Sequence, residues 1–165
     1  MNYKEIDLMS YLNYLGEDLK IDDFDDRIKI QKLVMIGESA GINIGKYSFN
    51  LYHKGPYSPD LATTYYGAAE AKRNGDTSYN EYVLARGYRQ IADKIKPLLS
   101  SPKGSNLEKA EWLQIVSTLI FAYNCNHSWG EAKIVTQMVK EELLKKCSIN
   151  IDDIIKKIQD VKSFN

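Results

Sequence analysis

The fold is decided by the stretch Tyr47–Leu61, which reads YSFNLYHKGPYSPDL. Its first half alternates between apolar and polar positions, with Tyr47, Phe49 and Leu51 on one face, and this period of two predicts a strand. Gly55-Pro56 is then predicted to end the strand, because proline has no N–H to donate to a ladder and glycine tolerates a reversal. The sequence therefore predicts a short β element that stops at a Gly-Pro corner.

Ser58-Pro59-Asp60 follows the corner and predicts the start of a helix. A serine hydroxyl can accept hydrogen bonds from free N–H groups, proline suits the first helical position, and an acid favours the first turn. Leu61, Tyr65 and Ala68 continue at helical spacing. One short stretch thus encodes a strand, a tight turn and a helix start.

Two helices are predicted upstream of this stretch. The first has leucines at helical spacing and is weakened by Gly16, while the second carries an apolar stripe and ends at Gly41. The leucines of the first are Leu8, Leu12, Leu15 and Leu19; the stripe of the second contains Ile30, Leu33, Val34, Gly37 and Ala40.

Four further helices are predicted downstream, for a total of about seven. The first of them is long, running from about Asn80 and stopping near Pro97 to Pro102, and the short segment 100–105 is the best candidate for a linker. The next helix contains Trp112, and the last begins at the capping residue Asn150. Between them, Ser128 and Glu131 form a capping box, and the helix that they start is predicted to bury Val135, Met138, Val139 and Leu143.

Composition limits the classes of protein that fit. The 165 residues suit one domain, and 22 basic and 22 acidic side chains give a formal net charge of zero. A protein built around nucleic-acid backbone needs a surplus of Lys and Arg, so zero net charge argues against that class. The two cysteines are too few for a disulfide framework, and no apolar run reaches the length of a membrane span. We expect a soluble, cytoplasmic protein without membrane association.

Motifs for catalysis or metal binding are weak. Gly37-Glu-Ser-Ala-Gly41 matches the Gly-x-Ser-x-Gly elbow of hydrolases, but its flanking residues fit a helix end better than the strand and helix that an elbow requires. Cys125, His127, Cys147 and His53 match no compact zinc spacing, and no phosphate-binding glycine motif is present. We therefore expect no enzyme activity, no cofactor and no metal.

Tyrosine is the main compositional signal, with twelve in the chain and five between residues 47 and 66. Tyrosine is amphipathic and rigid, and it is enriched at the energetic centres of protein interfaces. Tyr47 and Tyr65 are expected in the core. The other three tyrosines and the basic pair at the turn are the predicted partner-binding residues, which are Tyr52, His53, Lys54, Tyr57 and Tyr66.

The same region carries a family resemblance. Residues 30–34, IQKLV, followed after a gap by the pattern Y-x-F-x-L-Y-x-x-G-P-Y-S-x-x-L, resemble the YwgA-like group of small prokaryotic and phage proteins. The architecture also resembles the Panacea, or SocA-like, antitoxin and phage-associated proteins, whose second helical block corresponds to Glu111–Leu119. The resemblance implies a protein that acts by binding proteins, without a catalytic centre.

Together these features predict a mainly α, single helical domain over residues 1–165, with one short β element. The expected function is a non-catalytic interaction module of a prokaryotic or phage genome, of the antitoxin, adaptor or anti-defence type. Its expected partner is a toxin, protease or host factor, and a homodimer is left open. The alternative is a DNA-binding regulator, because the N-terminal half resembles a winged helix whose third helix would present Thr63, Thr64 and Arg73 outward.

Overall fold

The structure, a computed structural model, describes residues 1–164 and confirms a mainly α fold with one short β element. The described chain forms eight α-helices, a two-stranded antiparallel sheet and three short 3₁₀ segments. The helices are α1 Tyr3–Leu15, α2 Phe24–Ser39, α3 Pro59–Arg73, α4 Arg86–Ile95, α5 Lys109–Asn126, α6 Trp129–Val139, α7 Glu141–Lys146 and α8 Ile151–Asp160. The strands are β1 Asn50–Tyr52 and β2 Gly55–Tyr57, and the 3₁₀ segments are Ser78–Glu81, Lys96–Leu98 and Lys162–Phe164.

The helix boundaries follow from capping residues, most of which the sequence shows. Ser58 and Asn150 accept hydrogen bonds from the first-turn N–H groups of α3 and α8, as predicted. Ser128 does the same for α6 through the N–H of Glu131. Gly16, which was expected only to weaken the first helix, instead ends α1 in the left-handed conformation at φ 74°.

The core is continuous across the predicted linker at residues 100–105. Helix α5 packs against α2, α6 and β2, and one cluster of buried apolar side chains includes residues from both sides of the linker. Trp112 is fully buried there, and its indole N–H donates to the carbonyl oxygen of Leu98 at 2.8 Å. Ser105 is itself buried, and its carbonyl accepts from the N–H of Ser148. This segment is therefore fixed to the surrounding structure on both sides.

The side chain of Tyr11 in α1 packs against Gly37 of α2. The hydroxyl of Tyr11 donates to the carbonyl of Leu33 at 2.6 Å, which places the phenol ring against the next turn of α2. A Cβ atom at Gly37 would lie 2.5 Å from that hydroxyl oxygen. The position of the Tyr11 ring therefore leaves no room for a side chain at Gly37.

The predicted Gly-Pro corner is wrong in its register. Strands β1 and β2 pair antiparallel, with Leu51 opposite Pro56 and Tyr52 opposite Gly55, so the turn lies at His53-Lys54. Gly55-Pro56 belongs to the second strand and does not end the first. Both strands of a two-stranded sheet are edge strands, and an edge strand tolerates a residue without an N–H.

Two helices also differ from their predicted extents. Helix α4 begins at Arg86 rather than near Asn80. Residues 82–85 are not helical, and Val83 among them is 78% exposed. The predicted sixth helix breaks at Lys140 into α6 and α7. Met138 and Val139 precede this break and are exposed rather than buried, while Val135 and Leu143 pack against the core.

In α3, one of the three residues that the winged-helix alternative expects to face outward does not do so. Thr63 and Arg73 are exposed as predicted, but Thr64 is buried. Its hydroxyl donates to the carbonyl of Asp60 and accepts from the hydroxyl of Tyr47. Helix α3 also packs against α1.

Candidate functional site

The β-hairpin is attached to helix α2 by polar contacts at the end of β2. The side-chain amide of Gln31 forms two hydrogen bonds with Ser58, accepting from its N–H at 2.9 Å and donating to its carbonyl at 2.9 Å. This pair satisfies the backbone of a fully buried residue, which would otherwise carry a large desolvation cost. The hairpin is therefore held at a defined position on α2.

Two buried lysines lie under the hairpin and hold its backbone. Lys32 of α2 is 1% exposed, and its ammonium donates to the carbonyl of Pro56 at 2.7 Å. Lys140, at the break between α6 and α7, is 5% exposed and donates to the carbonyl of His53 at 2.8 Å and to Oε1 of Gln114 at 3.1 Å. The turn is thus anchored from two distant parts of the chain.

Neither buried lysine has an acidic partner within residues 1–164, where no Asp or Glu oxygen lies within 4.0 Å of either ammonium. Burial, with repulsion from Lys140, lowers the pKa of Lys32 to about 7. Burial, with repulsion from Lys54, lowers the pKa of Lys140 to about 8. The site therefore concentrates positive charge without a counter-ion from the described chain.

Gly55 makes this arrangement sterically feasible. Its φ of 101° is one that side-chain-bearing residues rarely adopt. A Cβ atom there would lie 3.2 Å from Cε of Lys32 and 3.3 Å from Oγ1 of Thr118. That threonine hydroxyl is buried and has no hydrogen-bond partner among the described residues. The hairpin backbone thus lies directly over Lys32 and an unpaired hydroxyl of α5.

A concavity with a volume of about 430 Å³ opens beside the hairpin, and we call this concavity the aromatic hollow. Helices α2 and α3 and the hairpin form its walls. Five aromatic side chains provide much of the lining, namely Phe24, Tyr52, Tyr57, Tyr65 and Tyr66. The charged side chains in the lining are those of Arg27, Lys32 and Lys54, and the described lining contains no carboxylate.

All five predicted partner-binding residues line the aromatic hollow. Tyr52 is 51% exposed and Tyr66 49% exposed, so both rings are accessible at the surface. His53 and Lys54 are exposed at the turn, whereas Tyr57 is half-buried and meets the ring of Tyr52 edge-on at 5.5 Å.

Of the two tyrosines expected in the core, one is buried and the other is half-buried. Tyr65 is buried at the base of the hollow, where burial raises its pKa to about 12. Tyr47 is only half-buried and packs against the core from outside.

The sequence did not identify four residues of this region. Phe24, at the start of α2, is 56% exposed beside the hollow, and the guanidinium of Arg27 lies 5.8 Å from its ring centre. Lys32 lies four residues from both Ile28 and Ile36, which are buried, so helical spacing alone places it on a buried face. No comparable local pattern indicates Lys140, whose contacts to the hairpin depend on tertiary structure.

A second concavity, with a volume of about 530 Å³, lies on the other side of the turn. His53 and Lys54 line both this concavity and the aromatic hollow. Its lining is mixed in charge and includes five acidic side chains, which are Asp25, Glu108, Glu111, Glu141 and Glu142. The turn therefore separates a hollow without carboxylates from a groove that is rich in them.

The other candidate motifs lie apart from this region. Gly37-Glu-Ser-Ala-Gly41 forms the last turn of α2 and the residues after it, with Gly41 at φ 110°, so Ser39 follows a helix rather than a strand. Cys125 is exposed, and in residues 1–164 no three His, Cys, Asp or Glu side chains are grouped to hold a metal ion.

Comparisons with known proteins give no match: no family model fits the chain, and neither curated proteins nor solved structures include one similar to it. None of the helices within residues 1–164 is both long enough and apolar enough to cross a membrane.

Proposed function

We propose that the protein is a non-catalytic interaction module that binds a segment of a partner protein in the aromatic hollow. One observation carries this proposal: Phe24, Tyr52 and Tyr66 are each about half exposed around one concavity. Scattered exposed aromatic residues are ordinary on protein surfaces, but several around one hollow offer a continuous apolar area for a partner. Binding there buries rigid rings at a low cost in conformational entropy.

The hairpin supports this role because it is held in place from below. Carbonyl groups at both ends of the His53–Pro56 segment accept hydrogen bonds from buried lysines. Fixed backbone keeps Tyr52 and Tyr57 in position before a partner arrives. A pre-organised surface loses less entropy on binding than a mobile one, so more of its contact energy contributes to affinity.

The biological setting of the proposal comes from the family resemblance. The YwgA-like and Panacea-like patterns suggest a prokaryotic or phage protein of the antitoxin, adaptor or anti-defence type, whose partner is a toxin, a protease or a host factor. A cytoplasmic setting fits the free Cys125 and Cys147, since a reducing compartment keeps thiols unpaired.

The proposal is tested by quantitative capture with matched tyrosine variants. Immobilised full chain is used to recover partners from prokaryotic extracts with the wild type and with Tyr52→Ala, Tyr66→Ala and Tyr82→Ala. Tyr82 is a matched control because it is 48% exposed and does not line the hollow. We expect the first two variants to weaken a specific partner by about 2 kcal/mol or more, as at an interface hot spot, and Tyr82→Ala to retain it.

Melting temperatures separate lost binding from lost folding. Each variant is scored only if it unfolds near the wild-type temperature. A partner that binds Tyr52→Ala and Tyr66→Ala as tightly as the wild type would place its binding surface outside the aromatic hollow.

A further inference from the structure

We propose, building on the interaction function above, that the aromatic hollow recognises an acidic segment of the partner. In this segment a carboxylate side chain is directed to Lys32 and a neighbouring apolar side chain packs among the tyrosines. Three features of the hollow carry this proposal: its one-signed charge, the unpaired cation in its lining, and its aromatic walls.

The charge of the hollow has one sign although the protein as a whole is neutral. Arg27, Lys32 and Lys54 are the charged lining residues, while the net charge of the chain is zero. The acidic residues near the turn line the groove on its other side. Complementary potentials steer association and exclude partners of the wrong charge. A hollow with this lining therefore favours an acidic partner over a basic one.

Lys32 is the residue of the hollow toward which the carboxylate of the segment is directed. Its ammonium forms one hydrogen bond, to Pro56, within the described chain, although it can donate three. A buried cation without a counter-ion is costly, and a carboxylate brought beside it removes part of that cost. Lys32 is 1% exposed and the hairpin backbone lies over it, so we infer that a carboxylate approaches its charge from the side of the hollow, where Lys32 belongs to the lining.

The aromatic lining explains why an apolar neighbour is expected beside the acid. Tyr65 presents a buried ring and Tyr57 a half-buried one, while Phe24, Tyr52 and Tyr66 are exposed at the sides. A volume of about 430 Å³ holds more than one side chain, so an acid and its apolar neighbour can enter together. The exposed rings then contact the segment on either side, which favours an internal acidic side chain over a terminal carboxylate.

Single-stranded nucleic acid is the main rival ligand, because bases stack on tyrosine rings and phosphates attract lysines. Its backbone carries a negative charge at every nucleotide and continues past the binding site. Beyond the turn it would meet the carboxylates of the neighbouring groove, among them Glu108 and Glu141. A short acidic segment ends before that groove, so the charge distribution favours the peptide.

The test is selection from a random peptide library displayed on phage, with the purified full chain as target. Parallel selections use the double variant Tyr52→Ala/Tyr66→Ala, the variant Lys32→Met and the charge-matched control Lys103→Met, whose lysine is exposed and outside the hollow. Methionine preserves the length of lysine but removes both its charge and its hydrogen bond to Pro56, so the melting temperature of Lys32→Met is compared with that of the wild type. The glutamine-substituted peptides test acid recognition without altering the hairpin. Selected peptides are then synthesised with glutamine in place of each acid, and their affinities are measured alongside that of a poly-dT oligonucleotide.

We expect the wild type and Lys103→Met to enrich peptides that contain Asp or Glu beside an aromatic or aliphatic residue. Lys32→Met should bind those peptides at least about tenfold more weakly, and glutamine substitution should weaken binding to the wild type similarly. Tyrosine-dependent peptides without acidic enrichment, or with unchanged affinity for Lys32→Met, would overturn the acid recognition and leave the docking function intact.

Two further outcomes would count against the proposals. If no peptide binds the wild type better than the double tyrosine variant, both the acid recognition and the proposed interaction function are overturned. If poly-dT binds with Lys32-dependent affinity that exceeds that of every selected peptide, the hollow is a single-strand site and the acidic-segment inference is wrong.

Discussion

Lys32 and Lys140 donate hydrogen bonds to the same β-hairpin from two different helical regions. Lys32 extends from the middle of α2 to the carbonyl of Pro56, and Lys140 extends from the start of α7 to the carbonyl of His53. The two ammonium groups are close enough for Lys140 to lower the pKa of Lys32. The hairpin therefore depends on a pair of like charges that burial makes costly, and this cost changes with pH.

The first prediction concerns pH-dependent stability. The pKa of Lys32 is about 7 in the folded protein and near its ordinary value of 10.5 when unfolded. Between these values the unfolded state binds more protons, so stability rises with pH by up to about 1.4 kcal/mol per pH unit from this group. Chemical denaturation between about pH 7.5 and 9 should show this rise, and Lys32→Met should reduce its slope.

Other titratable groups determine the pH range of this measurement and the variants that must be compared. The pKa of the Met1 amino group is raised chiefly by its hydrogen bond to Asp76, so its contribution falls as pH rises and opposes that of Lys32. The buried tyrosines titrate only at higher pH, with Tyr65 at about 12. The comparison is therefore between slopes of the wild type, Lys32→Met and Lys103→Met. Equal slopes in all three would show that Lys32 titrates normally.

The second prediction concerns the contact between α1 and α2. Gly37→Ala should destabilise the protein by about 1–3 kcal/mol, because the new methyl group would overlap the phenol of Tyr11 and force a shift in a packed region. Gly87→Ala is the matched control, since Gly87 is also helical and a Cβ there meets nothing within 4 Å. Urea denaturation measures both. Equal stabilities of the two variants would contradict the close approach at Gly37.

The third prediction concerns Trp112. Its ring is fully buried and its N–H is bonded to Leu98, so Trp112→Ala should cost about 3–5 kcal/mol of unfolding free energy. The loss should be cooperative, with one transition in a thermal melt, because the same core includes residues before and after the segment 100–105. Two separate transitions, or a stable fragment ending near Ser100, would refute this expectation.

The fourth prediction is that Ser39 is dispensable. Its hydroxyl accepts a hydrogen bond from the side chain of Asn124 and contacts the sulfur of Met35 at the end of α2. Within residues 1–164 this serine forms no hydrogen bond with a His, Asp or Glu side chain that could activate it. Ser39→Ala should change stability by less than about 0.5 kcal/mol. Labelling of Ser39 by a fluorophosphonate probe, absent in the alanine variant, would favour a hydrolase instead.

The fifth prediction concerns the DNA-binding alternative. With a net charge of zero and Thr64 buried in α3, we expect weak and unspecific binding to duplex DNA. Fluorescence anisotropy at near-physiological salt measures this directly. A specific sequence bound with nanomolar affinity and a steep salt dependence would support the regulator in place of the interaction module.

Local signals explain what the sequence predicted well. Ser58 and Asn150 act as caps and Gly41 as a helix stop through contacts within a few residues, so their roles are visible in the sequence. The exposed Tyr52 and Tyr66 were found because tyrosines are dense around the hairpin. The register of Gly55-Pro56 was missed because proline is excluded from central strands but allowed at an edge.

Long-range contacts explain what the sequence did not reveal. A lysine is expected at the surface, and only the tertiary structure shows that Lys32 and Lys140 are buried under backbone carbonyls. Lys140 lies at the break before α7, and no proline or glycine in the sequence indicates this break. The hollow therefore had to be located from the assembled fold, although its aromatic members were predicted individually.

The anchoring of the turn by Lys140 has a consequence for synthesis on the ribosome. The hairpin is complete once residue 57 has been made, but the hydrogen bond to His53 comes from a residue 87 positions further along the chain. Proteins fold from the N-terminus as they emerge. During most of translation the nascent turn therefore lacks one of its two lysine anchors, and the aromatic hollow reaches its final form only near the end of synthesis.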